Sequence, residues 1–185
     1  QPDVRQALEA AYEKEFNAGS VVIGYGADIR YSTNIELVEK HGLSREGYYL
    51  VVGRLIPDNN ADLIIREFIN TGSGKKLVVV GDAPYKDSYA EKIKSIFDPR
   101  VIFTGYITDQ DELSELYNNC FAYIHGHEFG GTNPTMLTAL ACGCAVISLD
   151  TVFTREMLDG TKHGIFFSKE PGDLERVIGE AERNT

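Results

Sequence analysis

The chain has 185 residues, the size of one domain or of one domain plus a tail. Hydrophobic residues make up 43% and charged residues 25%, which suits a soluble globular fold, and no apolar run is long enough to span a membrane. A formal net charge of -10 repels nucleic acid and anionic membrane surfaces, so neither is an expected partner, while a small anion held by local donors is still allowed.

In chain order, Pro2–Phe16 has Val4, Leu8, Ala11, Tyr12 and Phe16 near helical spacing and reads as a charged amphipathic helix, not a secretion signal. The chain opens at Gln1, as an excised segment would. A short strand is predicted at Ser20–Ile23, then the turn GYGAD and an irregular polar connection over 27–47. Tyr48–Val52 is a continuous apolar run, as a buried parallel strand requires. Helices are predicted over Asp58–Ile69, Tyr85–Phe97, Asp109–Asn118, Thr154–Leu158 and Pro171–Arg183. Strands are predicted at Leu77–Val80, Val101–Phe103, Cys120–Ile124, Ala145–Leu149 and Gly164–Phe167. Six strand-like runs alternating with helices from residue 48 onward predict an α/β fold with a doubly wound, Rossmann-like parallel sheet. Ligands of such sheets bind at the strand carboxyl ends.

Two segments at that edge stand out. In HGHEFGGTNPTMLTALACGC (125–144), Gly130 and Gly131 open a loop that feeds a helix. Asn133 is a good N-cap, Pro134 suits the first helical position, and Gly143 stops the helix. Free N–H groups and the helix dipole make such an N-terminus a site for phosphate. An ordinary turn that binds nothing fits the same residues. In GRLIPDNN (53–60), Gly53 permits a tight exit and Arg54 sits where a guanidinium can grip a diphosphate. A surface arginine paired with a carboxylate is the alternative. GSGKK (72–76) precedes a strand and reads as a plain turn, and Gly24–Tyr25–Gly26 lacks the third glycine of a dinucleotide fingerprint. His125 and His127 beside Glu128 read as a polar site edge more than as a metal centre. The three cysteines form no even disulfide set, and Cys142 and Cys144 have no second pair with which to hold zinc. Reduced thiols in a cytoplasmic protein are expected.

Taken together, YYLVVGRLIPDNN, LVVVGDAPY, VIFTGYI and HGHEFGGTNPTMLTALACGCAVI resemble the C-terminal, nucleotide-sugar-binding domain of retaining GT-B glycosyltransferases of family 4, and most closely the rhamnosyltransferase-like enzymes of bacterial cell-surface polysaccharide assembly. The resemblance runs from about Val21 to the end. It implies that residues 48–185 form one half of a GT-B fold, and that 1–47 lead in from an acceptor-binding domain. The donor would be a UDP-sugar or dTDP-sugar, with no further cofactor and no metal. The acceptor would be a saccharide or lipid-linked saccharide bound by the other domain, which leaves room for peripheral membrane association of a full-length enzyme.

By the same resemblance, Arg54 holds the donor diphosphate and is the catalytic candidate, with Gly53 beside it. Gly105, Tyr106 and Ile107 border the nucleobase. Gly130, Gly131, Thr132 and Asn133 form the phosphate loop. The chain departs from the wider family at Asn59, where a lysine is usual. It also departs at Gly130 and Thr138, which fall on a Glu-x7-Glu pair, the second glutamate of which binds ribose. Thr138 offers only a short, uncharged hydroxyl in its place. A non-catalytic binding module is therefore the alternative. A nicotinamide-dependent oxidoreductase is disfavoured, because GRLIPDNN supplies no G-x-G-x-x-G turn.

Overall fold

The computed structural model describes residues 4–21, 23–83, 87–130 and 132–184. Six strands form one sheet: β1 (Tyr48–Val52), β2 (Lys76–Val80), β3 (Val101–Gly105), β4 (Ala122–His125), β5 (Val146–Leu149) and β6 (Ile165–Phe167). Their order is β3-β2-β1-β4-β5-β6, and every pairing is parallel. This is the doubly wound, Rossmann-like arrangement expected from the alternation of strand and helix. Its strand order reverses between β1 and β4, which opens a crevice at their carboxyl ends.

The helices are α1 (Val4–Phe16), α2 (Glu36–Glu39), α3 (Ala61–Asn70), α4 (Ser88–Lys94), α5 (Gln110–Asn119), α6 (Pro134–Ala141), α7 (Val152–Met157) and α8 (Asp173–Arg183). The alternation of side chains along β1 divides the core in two. Tyr49 and Val51 pack with Ile64, Ile65 and Phe68 of α3, Ile93 of α4, and Leu174, Val177 and Ile178 of α8. Tyr48 and Leu50 pack on the opposite face with Leu116 and Tyr117 of α5, and Met136 and Ala139 of α6. Both tyrosines reach a partner despite burial: Tyr48 donates to Leu116 O (2.8 Å) and Tyr49 to Glu182 (3.0 Å). With both faces covered, β1 has no need of polar alternation, which is why it reads as an unbroken apolar run.

Three expectations are corrected. Ser20, Val21 and Ile23 lie in irregular backbone with Val21 81% and Ile23 87% exposed, so the apolar residues there find no sheet neighbour. The helix expected at Asp58 is split: Pro57–Asn59 forms a 3₁₀ turn, Asn60 takes a left-handed φ of 50°, and α3 begins at Ala61. The Asn60 amide donates to Gly126 O (2.8 Å), tying the β1 exit to the β4 exit. The third helix is shorter than predicted, starting at the N-cap Asp87 and ending at Lys94, which leaves Phe97 91% exposed. The expected start at Tyr85 lies outside the described residues, as do Pro2, Val22 and Gly131. The first expected helix is present as α1, with its apolar residues Leu8, Tyr12 and Phe16 exposed.

The polar connection before β1 is not free. Glu115 on α5 accepts from Ser32 Oγ (2.7 Å), Asn34 N (2.7 Å) and the Asn119 amide (3.0 Å), and also from Thr33 N. Burial pushes its carboxyl upward, yet these donors together hold it below the usual range. One turn earlier, Glu112 binds Lys40 (2.5 Å) and His41 (2.7 Å). Two acidic side chains of one helix thus fasten residues 32–41 to the sheet's α5 face.

Candidate active site

A cavity of about 400 Å³ opens at the carboxyl ends of β1, β2 and β4. Its floor is made from strand ends that carry glycine. Gly53 follows β1, Gly81 follows β2, Gly105 ends β3 and Gly126 follows β4. Two of these admit no side chain. A Cβ on Gly81, whose φ is +128°, would lie 1.9 Å from Gly53 O, and one on Gly126 would lie 2.5 Å from Asn59 O. The backbones of neighbouring exits therefore approach closely enough for Gly53 N to donate to Val80 O (3.0 Å) and Gly81 N to Gly105 O (2.8 Å).

Arg54 lines the cavity rim and is exposed. Among the described residues no carboxylate pairs with its guanidinium, although the chain is acidic and many of its other cations are paired. Asp82, on the same rim, is engaged instead by Lys94 (2.6 Å), whose hydrogen bond holds the carboxyl below its usual range.

Asn59 and His127 form a second rim element. The Asn59 amide nitrogen donates to Arg54 O (2.7 Å), and its oxygen lies 2.7 Å from His127 Nδ1. Beneath them, the proton arrangement of a buried chain can be worked out. Thr135 N donates to Asn133 Oδ1 (3.0 Å), the N-cap bond of α6, and Thr135 Oγ1 donates to the same oxygen (2.7 Å). The threonine proton is thereby used. Tyr123 OH, 2.9 Å from Thr135 Oγ1, must donate to it, and His125 Nδ1, 3.1 Å from Tyr123 OH, must donate in turn. His125 therefore carries a proton on Nδ1, and its burial keeps the ring neutral. Burial, with a smaller contribution from His127, pushes its pKa down to about 3.

The sequence candidates are distributed as follows. Gly53, Arg54, Asn59, Tyr106, Ile107 and Asn133 line the cavity. Gly105 lies just below, with its carbonyl taken by Gly81 N. Gly130 (φ +113°) and Thr132 sit on the loop beyond the lining, both exposed, and Gly131 lies outside the described residues. Thr138 does not reach this cavity. It borders an adjoining one of about 300 Å³, whose wall includes Tyr25, Ala27, Asp28 and Arg30. Its hydroxyl donates to Pro134 O (3.0 Å), so it is turned onto its own helix. The two cavities share Val52, Gln110, Leu113, Pro134 and Thr135.

Sequence reasoning did not single out Gly81, Gly126, Tyr123, Thr135 or Gln110 for this wall. A signal for the glycines was available, since each of the first four strands in chain order ends in or next to one. His125 and His127 are not joined by a third metal-ligating group among the described residues. All three cysteines are free; Cys120 is buried, 3.9 Å from the sulfur of Cys144. Among the described residues no helix is long and apolar enough to cross a membrane.

A Rossmann-like domain with its cavity at the sheet's switch point is the class that the fold and the site define. Residues 46–183 match the family model described as glycosyl transferases group 1, and the chain belongs to that family. A curated relative, the N-acetylgalactosamine-N,N'-diacetylbacillosaminyl-diphospho-undecaprenol 4-alpha-N-acetylgalactosaminyltransferase of Campylobacter jejuni, is 27% identical over 107 residues, covering 57% of this chain and 28% of the relative. Among solved structures, Anabaena HepE in complex with UDP superposes with a TM-score of 0.77 at 20% identity, over 97% of this chain and 52% of HepE. HepE with UDP-glucose gives 0.74 at 20% identity, over 96% and 51%. Sucrose-phosphate synthase from Thermosynechococcus elongatus gives 0.76 at 19% identity, over 96% and 48%. At these identities the likeness is one of fold, that of one half of a GT-B glycosyltransferase. The chain spans little more than a quarter of the curated relative and about half of HepE.

Proposed function

We propose that the chain is the donor-binding domain of a retaining glycosyltransferase, holding a nucleoside diphosphate sugar in the switch-point cavity. Residues 48–185 form that domain, and 1–47 lead in from an acceptor-binding half. The observation that carries this reading is Arg54, without a carboxylate partner among the described residues, on a glycine-floored cavity in a chain of net charge -10. A guanidinium left free among so many carboxylates is suited to an anion from outside. As the bond between the anomeric carbon and the phosphate oxygen breaks, negative charge builds on the diphosphate. Arg54 and the positive end of α6 would offset that charge. Tyr106, 77% exposed at the end of β3, offers a ring for the nucleobase.

The presence of UDP and UDP-glucose in complexes of a protein of the same fold supports a uridine donor. The rhamnosyl reading rests on the GGTNP loop, and a cytoplasmic enzyme acting on a saccharide or lipid-linked saccharide remains the proposed setting. Calorimetric titration with UDP, dTDP and their glucose conjugates tests the reading, and binding of none of them would refute it. A second reading, a non-catalytic binding module, is favoured by one observation: no carboxylate stands at 130 or 138, and the Thr138 hydroxyl is already committed. Turnover by a protein that joins this chain to an acceptor domain separates the two. This chain alone is expected to bind donor without transferring sugar, so sustained transfer by it would overturn the division into halves.

A further inference from the structure

Arg54 brings one positive charge to the cavity, whereas the diphosphate of a nucleotide sugar carries about two negative charges. The remaining charged or titratable groups that line the cavity are Asp82, Tyr106, Tyr123, His125 and His127. Asp82 is neutralised by Lys94. Tyr123 and His125 are locked in the buried chain derived above, with Tyr123 donating to Thr135 and His125 neutral. Only His127 is placed to gain a positive charge.

Its orientation follows from its partner. A backbone carbonyl can only accept, so the group on Asn59 that meets Arg54 O is the NH₂, and the amide oxygen faces His127. That oxygen can only accept, so His127 Nδ1 carries a proton. Its other nitrogen, Nε2, holds the lone pair, and it lies 3.5 Å from where a Cβ on Gly130 would stand. That nitrogen is thus turned to the loop that precedes α6. The ring is half-buried and 6.1 Å, centroid to centroid, from that of His125. Nearby charges on other elements are Arg54 and the exposed Asp58. On its own element Glu128 is engaged by Lys169.

We propose that His127 is the second cation of the donor site, held by Asn59 and charging at Nε2 when the sugar nucleotide's diphosphate enters. This rests on the donor-domain reading. It assigns the protein a diphosphate grip that tightens as pH falls through the range in which histidine titrates. The binding step takes up one proton from solvent onto Nε2, and no covalent bond is made or broken.

The test is isothermal titration of this chain with UDP-glucose and, in parallel, dTDP-glucose between pH 5.5 and 8.5. Their diphosphates are diesters, so the ligands themselves do not ionise in this range. Affinity is expected to fall by up to about tenfold per pH unit as pH rises above the range in which histidine side chains ordinarily titrate. His127→Gln, which cannot charge, is expected to flatten the profile and to match the wild type's weak high-pH value. Asn59→Asp sets a carboxylate against Nδ1 and is expected to move the fall in affinity to higher pH, whatever it does to the absolute affinity. A His127→Gln protein that binds with the wild-type pH profile would overturn the inference while leaving the donor-domain reading intact. If neither conjugate binds the wild type at any pH, both fall. If His127→Gln fails to fold by thermal melting, the Asn59→Asp profile decides, and an unmoved midpoint refutes the proposal.

Discussion

Arg54 stands unpaired beside a cavity, and the alternative open from sequence, a surface arginine tied to a carboxylate, is not what the described structure contains. Because no carboxylate among the described residues pairs with its guanidinium, Arg54→Ala is expected to leave the thermal midpoint unchanged. It should weaken UDP binding by about 1.5–3 kcal/mol, the scale of a hydrogen bond to a charged group. Calorimetry on the two proteins checks both halves of the statement. His125 is the opposite case, a buried group whose cost appears in stability. Its folded pKa of about 3 lies below the ordinary value of 6.5, so the unfolded chain binds the proton first. The stability it permits is complete above pH 6.5 and is lost as pH falls toward 3, at up to about 1.4 kcal/mol per pH unit. Between pH 6.5 and 5, above the ordinary carboxylate range, this decline should be visible in denaturant melts of the wild type and reduced in His125→Gln. Equal slopes in the two proteins would mean that another group is responsible.

At the level of elements, α5 serves as more than a cover for the sheet. Glu112 and Glu115 lie on consecutive positions of one helical face and hold the connection that arrives before β1. Glu115→Gln keeps the size of the side chain but removes the charge that several donors share, and it brings its own NH₂ among them. A loss of roughly 2–3 kcal/mol in stability is expected. Faster proteolysis within 30–41 should accompany it, readable by mass spectrometry of timed digests, and cleavage no faster than in the wild type would show that the segment is held otherwise. This clamp was not legible in the sequence, where 27–47 read as irregular. Its acceptor and donors are separated by some eighty residues, and a glutamate on an amphipathic helix gives no sign of being buried. The strands were legible because burial on both faces forces apolar runs such as YYLVV and KLVVV. The short strand proposed at Ser20–Ile23 failed for the converse reason, since an apolar run specifies a strand only where a neighbour accepts it. The break at Asn60 was hidden because its cause is a contact with Gly126, 66 residues further on. Within the site, the rim residues Gly53, Arg54 and Asn59 could be placed by their position after a strand. The Thr135–Tyr123–His125 chain could not, because it depends on which way side chains turn beneath the loop.

For the molecule as a whole, the order of the sheet has a consequence for how it opens. β1 lies between β2 and β4, and its amides are bonded on both sides into strands that are themselves internal. No partial loosening from either edge releases them. β6, three residues long at one edge, and the clamped connection before β1 can detach without disturbing that centre. Amide hydrogen exchange in deuterated buffer should therefore fall into tiers. The amides of Tyr49–Val52 should exchange only through global unfolding, with a free energy equal to that from denaturant melts, while residues 23–31 exchange within the dead time. Donor binding would slow the loops after β1 and β4 by the factor set by ligand concentration over Kd, and would slow the β1 amides by that same factor. Protection confined to the loops would mean that the cavity closes on its ligand without being coupled to the cooperative unit beneath it.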